Sequence, residues 1–263
     1  MLSSPDLRDH TVLVLHAHPD DEAIFTGITL RRLAEAGART VLVVATAGEL
    51  GESRVPLLSG ETIGQRRVAE LERSAELLGI SRLVLLGRRD SGLPGWASSA
   101  HPRALACSDT AALARRIADL AIAERAGTMI YDDEQGIYGH PDHRIAHRIG
   151  AMASRLTGAV GYRITVDRDN ARGRHLVHTA AAAAEVSYGR MRSEIPLAVT
   201  GETEHLVSKY AAITAHASQI EPADVPTSEF AAVYGTEWFR YETVPGVLDL
   251  LGDPLISLLV PSS

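Results

Sequence analysis

The chain has 263 residues, 45% of them hydrophobic and 22% charged, a composition that excludes a disordered segment. With 26 Lys and Arg against 33 Asp and Glu the formal charge is −7, so no basic field invites nucleic acid. A single cysteine, Cys107, excludes an intrachain disulfide and any multi-cysteine metal site, which leaves His and carboxylates as the only ligands for a metal.

Met1 to Asp9 carries two Asp and one Arg and does not read as a signal peptide. No apolar run approaches the roughly 20 residues of a membrane span. A cytoplasmic protein is therefore expected. Thr11–His16 (T-V-L-V-L-H) is a short buried strand, and Asp21–Ala36 reads as a helix closed by Gly37. Thr40–Thr46 is a second strand. Thr62–Leu78 is an amphipathic helix with apolar positions at 63, 68, 71, 75 and 78, stopped by Gly79. Arg82–Leu86 is a third strand, Asp109–Ala126 a helix capped by Ser108 or Asp109, Thr128–Tyr131 a fourth strand and Asp142–Leu156 the helix after it. Beyond Gly161 the pattern gives a strand at Tyr162–Val166, an alanine-rich helix over Leu176–Ile195, a helix at Val207–Ser218 and a loop at Glu221–Thr227. Strands alternating with helices, the strands almost wholly apolar, predict an α/β fold: a Rossmann-like, mostly parallel sheet with helices on both faces. Sites in such sheets lie beyond the carboxyl ends of the strands.

Two polar clusters fall at that end. His16-Ala17-His18-Pro19-Asp20-Asp21-Glu22 follows the first strand, and His140-Pro141-Asp142-His143 follows the fourth, after a loop containing Gly136, Tyr138 and Gly139. A catalytic zinc takes three protein ligands from imidazole and carboxylate and keeps a position open. His18 and Asp21 are three residues apart across a proline-stiffened turn, and His143 completes the set from the second loop. Asp20, beside a ligand, suits a general base, and His140, one turn before His143, suits an acid or oxyanion donor. Pro141 fits the first turn of a helix, which puts His140 at the cap.

Ala17-His18-Pro19-Asp20-Asp21-Glu22 paired with Gly139-His140-Pro141-Asp142-His143 resembles the motif pair of the LmbE-like / PIG-L superfamily of zinc deacetylases. The resemblance implies zinc, one ion per chain, at His18, Asp21 and His143, with iron(II) as an alternative in cells. It also implies Asp20 as base, His140 as acid or oxyanion donor, and N-deacetylation of an N-acetylglucosamine joined to inositol, phosphatidylinositol or an antibiotic core. Arg67 in Arg67-Val68-Ala69-Glu70-Leu71 resembles the family's arginine that reaches toward substrate. Asp90 in Gly87-Arg88-Arg89-Asp90 resembles its sugar-holding acid, and Tyr138 a tyrosine near the scissile amide. Ala215-His216-Ala217-Ser218-Gln219 resembles a motif of the mycothiol-pathway branch. The small-molecule partner is thus an amino-sugar conjugate, and the whole of 1–263 is expected to be one domain, its catalytic core at about 10–165 and its remainder a substrate-side extension.

Other readings stand beside these. An amidase for a larger acyl group, such as a thiol-conjugate amidase, needs the same apparatus. A nucleotide-binding Rossmann module lacks a Gly-rich turn after the first strand and has two carboxylates there. A non-catalytic binding protein has no need of Asp20 beside Asp21. His16 reads as a strand-end core histidine, His147 as packing or surface, Glu22 as a first-turn carboxylate or second ring around the metal, and Asp132-Asp133-Glu134 as a solvated loop. Trp238 reads as packing. Trp96 and His216 are open between packing and the site, and the oligomeric state is open as well.

Overall fold

Successive side chains of a strand face opposite ways, and the first strand shows why the sequence needs cover on both sides. In β1 (Thr11–His16), Val12 and Val14 belong to one hydrophobic cluster while Leu13 and Leu15 belong to another. The computed structural model describes residues 5–170, 187–221, 225, 227–241 and 245–252. In chain order the elements after β1 are α1 (Asp21–Glu35), β2 (Arg39–Thr46), α2 (Ile63–Leu78), β3 (Arg82–Arg88), α3 (Thr110–Glu124), β4 (Thr128–Asp132), α4 (Pro141–Thr157), β5 (Val160–Thr165), β6 (Leu197–Thr200), α5 (Thr203–Ala215), α6 (Phe230–Tyr234) and β7 (Thr236–Tyr241).

The strands form a seven-stranded sheet in the order β3-β2-β1-β4-β5-β7-β6. β1, β2, β3, β4 and β5 pair in parallel, and β7 runs antiparallel to both β5 and β6. The expected mostly parallel α/β sheet is what forms. Helices α1, α2 and α5 supply one cluster, and α3 and α4 the other. The chain winds outward from β1 to β3, then returns to lay β4 on the other side of β1. The loops leaving β1 and β4 therefore part in opposite directions and open a crevice between them.

Helix ends follow the local chemistry read from the sequence. Thr62 caps α2 by accepting from Gln65 N–H, with the Gln65 side chain returning the bond, and Gly79 closes it at φ 77°. Asp109, not Ser108, caps α3. Gly37 stands at φ +87° just beyond α1. The C-terminal reading fares less well. Residues 176–186 of the alanine-rich helix lie outside the described residues, and 187–195 are not α-helical: Gly189 turns at φ +54° and Arg190 N–H pairs with Val166 C=O, so the chain continues beside β5. α5 begins at Thr203, four residues earlier than expected, where Glu202 N–H donates to His205 Nδ1. β6, β7 and α6 were not read from the sequence. Most of the Glu221–Thr227 loop lies outside the described residues. Among the described residues, no helix is long and apolar enough to cross a membrane.

Candidate active site

Thr46 N–H and Oγ1 both donate to Ala17 C=O, so the end of β2 pins the turn that leaves β1. That turn carries His18, Asp20 and Asp21. The His18 N–H donates to Asp21 Oδ2 at 2.9 Å, which folds the Asp21 carboxylate back under the imidazole. On the second loop, His140 caps α4, its Nδ1 accepting from Asp142 N–H at 3.2 Å. A ring whose Nδ1 accepts carries its proton on Nε2 when neutral. His143 lies one turn inward, and both histidines are buried.

The two loops meet. His143 Nε2 is 3.6 Å from Asp21 Oδ1, His18 Nδ1 is 3.8 Å from Asp21 Oδ2, and the His18 and His143 rings are 5.2 Å apart. Ring nitrogens of His18, His140 and His143 also lie within 4.8 Å of one another. Among the described residues the trios whose ligand atoms all lie that close are His18 with His140 and His143, and His18 with Asp90 and Asp142. Asp21 stands beside both His18 and His143, through a different oxygen to each. Tetrahedral zinc with bonds near 2.1 Å sets neighbouring ligand atoms about 3.4 Å apart, so this spacing suits one small divalent ion. Both nitrogens of buried His143 lack a hydrogen bond among the described residues, as do both oxygens of buried Asp132. His143 Nδ1 stands 3.1 Å from Asp132 Oδ2, close enough for charge pairing but not aligned as a hydrogen bond. Orphaned buried nitrogens are costly, and a metal ion is the partner this donor set fits.

Each candidate ligand histidine has a carboxylate behind it. His18 Nε2 meets Asp142 Oδ2 at 3.2 Å and Asp90 Oδ1 at 3.7 Å, and His143 Nδ1 meets Asp132. Such partners fix the ring and raise its basicity. Asp142 is itself held by Ser91 through N–H and Oγ. Burial works against protonation of His18 and His143, yet the carboxylates prevail: His18 lies well above its usual range, and His143 is carried up to about 9. Burial also opposes ionisation of Asp90, but His18 and the Gly92 N–H hold it well below the usual carboxylate range.

Asp20, at the N-terminus of α1, occupies the left-handed region at φ 106° and makes no side-chain cap bond to the helix. Instead Oδ2 accepts from Arg67 Nη2 at 3.0 Å. Arg67 also donates to Pro19 C=O at 2.6 Å and Gly48 C=O at 2.8 Å. His18, Asp20, Asp21, Arg67, Asp90, Tyr138 and His140 line one cleft of about 500 Å3, with Trp96 on its wall, a volume suited to a small conjugate. Burial and the surrounding carboxylates push the Tyr138 hydroxyl well up, so it remains a donor.

Asp132-Asp133-Glu134 is not a solvated loop, and that reading is corrected: Asp132 and Asp133 are fully buried and only Glu134 is exposed. Asp132 ends β4 beneath His143, and Asp133 accepts from Gln135 N–H, Ile137 N–H and Thr165 Oγ1. The apolar-stripe reading of α2 also missed its polar members, since Arg67, Glu70 and Ser74 lie on the buried face. Their spacing of three and four residues was the available signal. His16 is a core histidine bonded to Thr26 Oγ1, and His147 packs with Nδ1 on Asp132 C=O. Trp238 packs under the Arg192 guanidinium.

The family model for "PIG-L: GlcNAc-PI de-N-acetylase" matches residues 13–154, which hold both loops. The chain belongs to the PIG-L family. It is similar to the 1D-myo-inositol 2-acetamido-2-deoxy-alpha-D-glucopyranoside deacetylase of Salinispora arenicola, 33% identical over 90% of this chain and 84% of that protein. In fold it resembles N,N'-diacetylchitobiose deacetylase from Pyrococcus horikoshii, with TM-score 0.58 and 21% identity over 92% of this chain and 87% of the other. The 4-carboxy-2-hydroxymuconate hydratase of Pseudomonas putida shares the fold too, at TM-score 0.58 and 17% identity over 90% and 98% of the two chains. The fold alone therefore does not choose the reaction.

Proposed function

We propose that this PIG-L family enzyme is a zinc-dependent N-deacetylase that hydrolyses the acetamide of an N-acetylglucosaminyl conjugate, with the inositol glycoside as first substrate to try. The observation that carries the reading is the placement of Asp20 and His140 on one cleft, beside a donor set suited to a metal. His18, Asp21 and His143 are assigned to the ion. His140 stays outside the set because its helix-cap bond fixes a donor Nε2, which is of use to a substrate oxygen and of none to a metal. Bound zinc supplies Lewis acidity and water acidified to about pKa 7.

The chain's own groups do the rest. Arg67 occupies Asp20 Oδ2, leaving Oδ1 to take the proton of the attacking water. The Nε2–H of His140 donates to the developing oxyanion, and the proton that Asp20 takes from the water is the one passed to the departing amine. Asp90, held ionised, and the Tyr138 hydroxyl are assigned to sugar hydroxyls and the amide. Arg67 has its Nη2 engaged by Pro19 and Asp20 and reaches substrate chiefly by fixing the base.

The test is amine release from N-acetylglucosaminyl inositol and from analogues carrying bulkier N-acyl groups, with and without prior chelation. Turnover of the acetamide that is lost on chelation and restored by zinc is expected. Preference for bulky acyl groups would shift the assignment to an amidase, and turnover undiminished by chelation would overturn the zinc reading.

A further inference from the structure

Asp20 is a non-glycine residue at φ 106°, a strained conformation that persists only where the surroundings impose it. Arg67 restrains its side chain and the preceding carbonyl. Its backbone is restrained by a different group: Asp20 N–H donates to Glu22 Oε2 at 2.9 Å. Two residues along the chain, the Glu22 carboxylate lies at the first turn of α1 with no exposed surface, so its direction is set by what binds its other oxygen. Ser74 Oγ on α2 and His216 Nε2 at the end of α5 both reach Glu22 Oε1, each at 2.6 Å. Two donors on one oxygen leave the other aimed at Asp20.

The imidazole is placed with equal care. The residues after it are clamped to α2, with Ser218 N–H and Oγ on the two oxygens of Glu70 at 2.9 and 2.6 Å. His216 has no exposed surface, and its Nδ1 has no hydrogen-bond partner among the described residues. A buried imidazole with one unsatisfied edge is a poor choice for packing alone. We propose that His216 is a positioning residue for catalysis, holding Asp20 in its left-handed conformation through Glu22. The C-terminal part of the chain thereby takes part in proton transfer through a contact that reaches Glu22 across 194 residues of sequence, without touching substrate.

The inference rests on the assignment of Asp20 as the base, and the test separates the two. Zinc content, kcat and KM are measured on N-acetylglucosaminyl inositol for wild type, His216→Ala and His216→Gln, each also in an Asp20→Asn background. A wild type that releases no amine refutes the proposed function. With an active wild type, His216→Ala should lower kcat about 10–100-fold with KM and zinc content unchanged. His216→Gln, which restores a donor toward Glu22, should recover much of the loss. In the Asp20→Asn background His216→Ala should add nothing, because the group it positions is already gone. An equal loss in both backgrounds, or an unchanged kcat, overturns the proposal. If His216→Ala fails to fold, Ser74→Ala removes the other donor from the same oxygen and is judged by the same non-additivity.

Discussion

Asp20 combines two features that a structural carboxylate avoids: a left-handed backbone and a side chain largely withdrawn from solvent, 19% exposed. Burial raises its pKa and Arg67 opposes the rise, leaving it at about 6. A base must be ionised, so activity should fall as pH drops through the Asp20 pKa. A cation bound next door draws that pKa down, which makes 6 the ceiling for the acidic limb of kcat/KM. Asp20→Asn should remove that limb and lower kcat about 10²–10⁴-fold while metal analysis finds zinc retained. The stability sign runs opposite to that of a salt-bridged acid. With a folded-state pKa above the unfolded value near 3.9, ionisation disfavours the folded chain, without effect below pH 4 and fully above pH 6. Chelated Asp20→Asn at pH 7 should accordingly unfold at a temperature no lower than chelated wild type. A clear drop in its melting temperature would mean that the Arg67 contact outweighs burial.

Between elements, the joint of α1, α5 and β7 is polar where a core would be expected to be apolar. Lys209 Nζ on α5 donates to Glu237 Oε1 on β7 at 2.7 Å, both side chains about 1% exposed. The same carboxylate accepts from Ile28 N–H and Thr29 N–H inside α1, each at 2.8 Å. Removing one partner strands the other, so Lys209→Met should destabilise by about 3–5 kcal/mol in urea unfolding, and Lys209→Met with Glu237→Gln by less than the sum of the single changes. None of this was legible in the sequence. Local rules found β1 to β5 and α1 to α4 because caps, glycines and apolar runs act within a few residues. Both loops of the candidate site were legible for the same reason, each being a dense local motif at the carboxyl end of a strand. Lys209 with Glu237, His216 with Glu22 and Asp132 with His143 are pairings made by the tertiary fold. A lone charged residue in an otherwise ordinary helix or strand gives no local sign that it will be buried. β6 and β7 escaped because a four-residue strand and T-E-W-F-R-Y carry too little periodicity to be told from loop.

At the scale of the molecule, the strand order forces the decisive event. Because β4 lies beside β1 while the chain between them winds to β3 and back, the loops after β1 and β4 can face each other only when the sheet is assembled. Assembly gathers the buried carboxylates of Asp21, Asp90, Asp132 and Asp142 around His18 and His143. Without a metal that charge is met by the protons His18 and His143 hold, which a divalent ion displaces as it takes their place. The unfolded chain, with its candidate ligands about 120 positions apart in sequence, has no comparable site. A divalent ion that binds only the folded form adds RT ln(1 + [M]/Kd), about 2.7 kcal/mol at a hundredfold excess over Kd. For a chain of this size that amounts to roughly 5–10 °C in melting temperature. Zinc added to chelated wild type should produce this shift in a thermal melt, Asp20→Asn should keep it, and His143→Ala should lose it together with bound zinc and activity. A wild-type midpoint that ignores zinc would mean that the two loops converge for some reason other than gripping an ion.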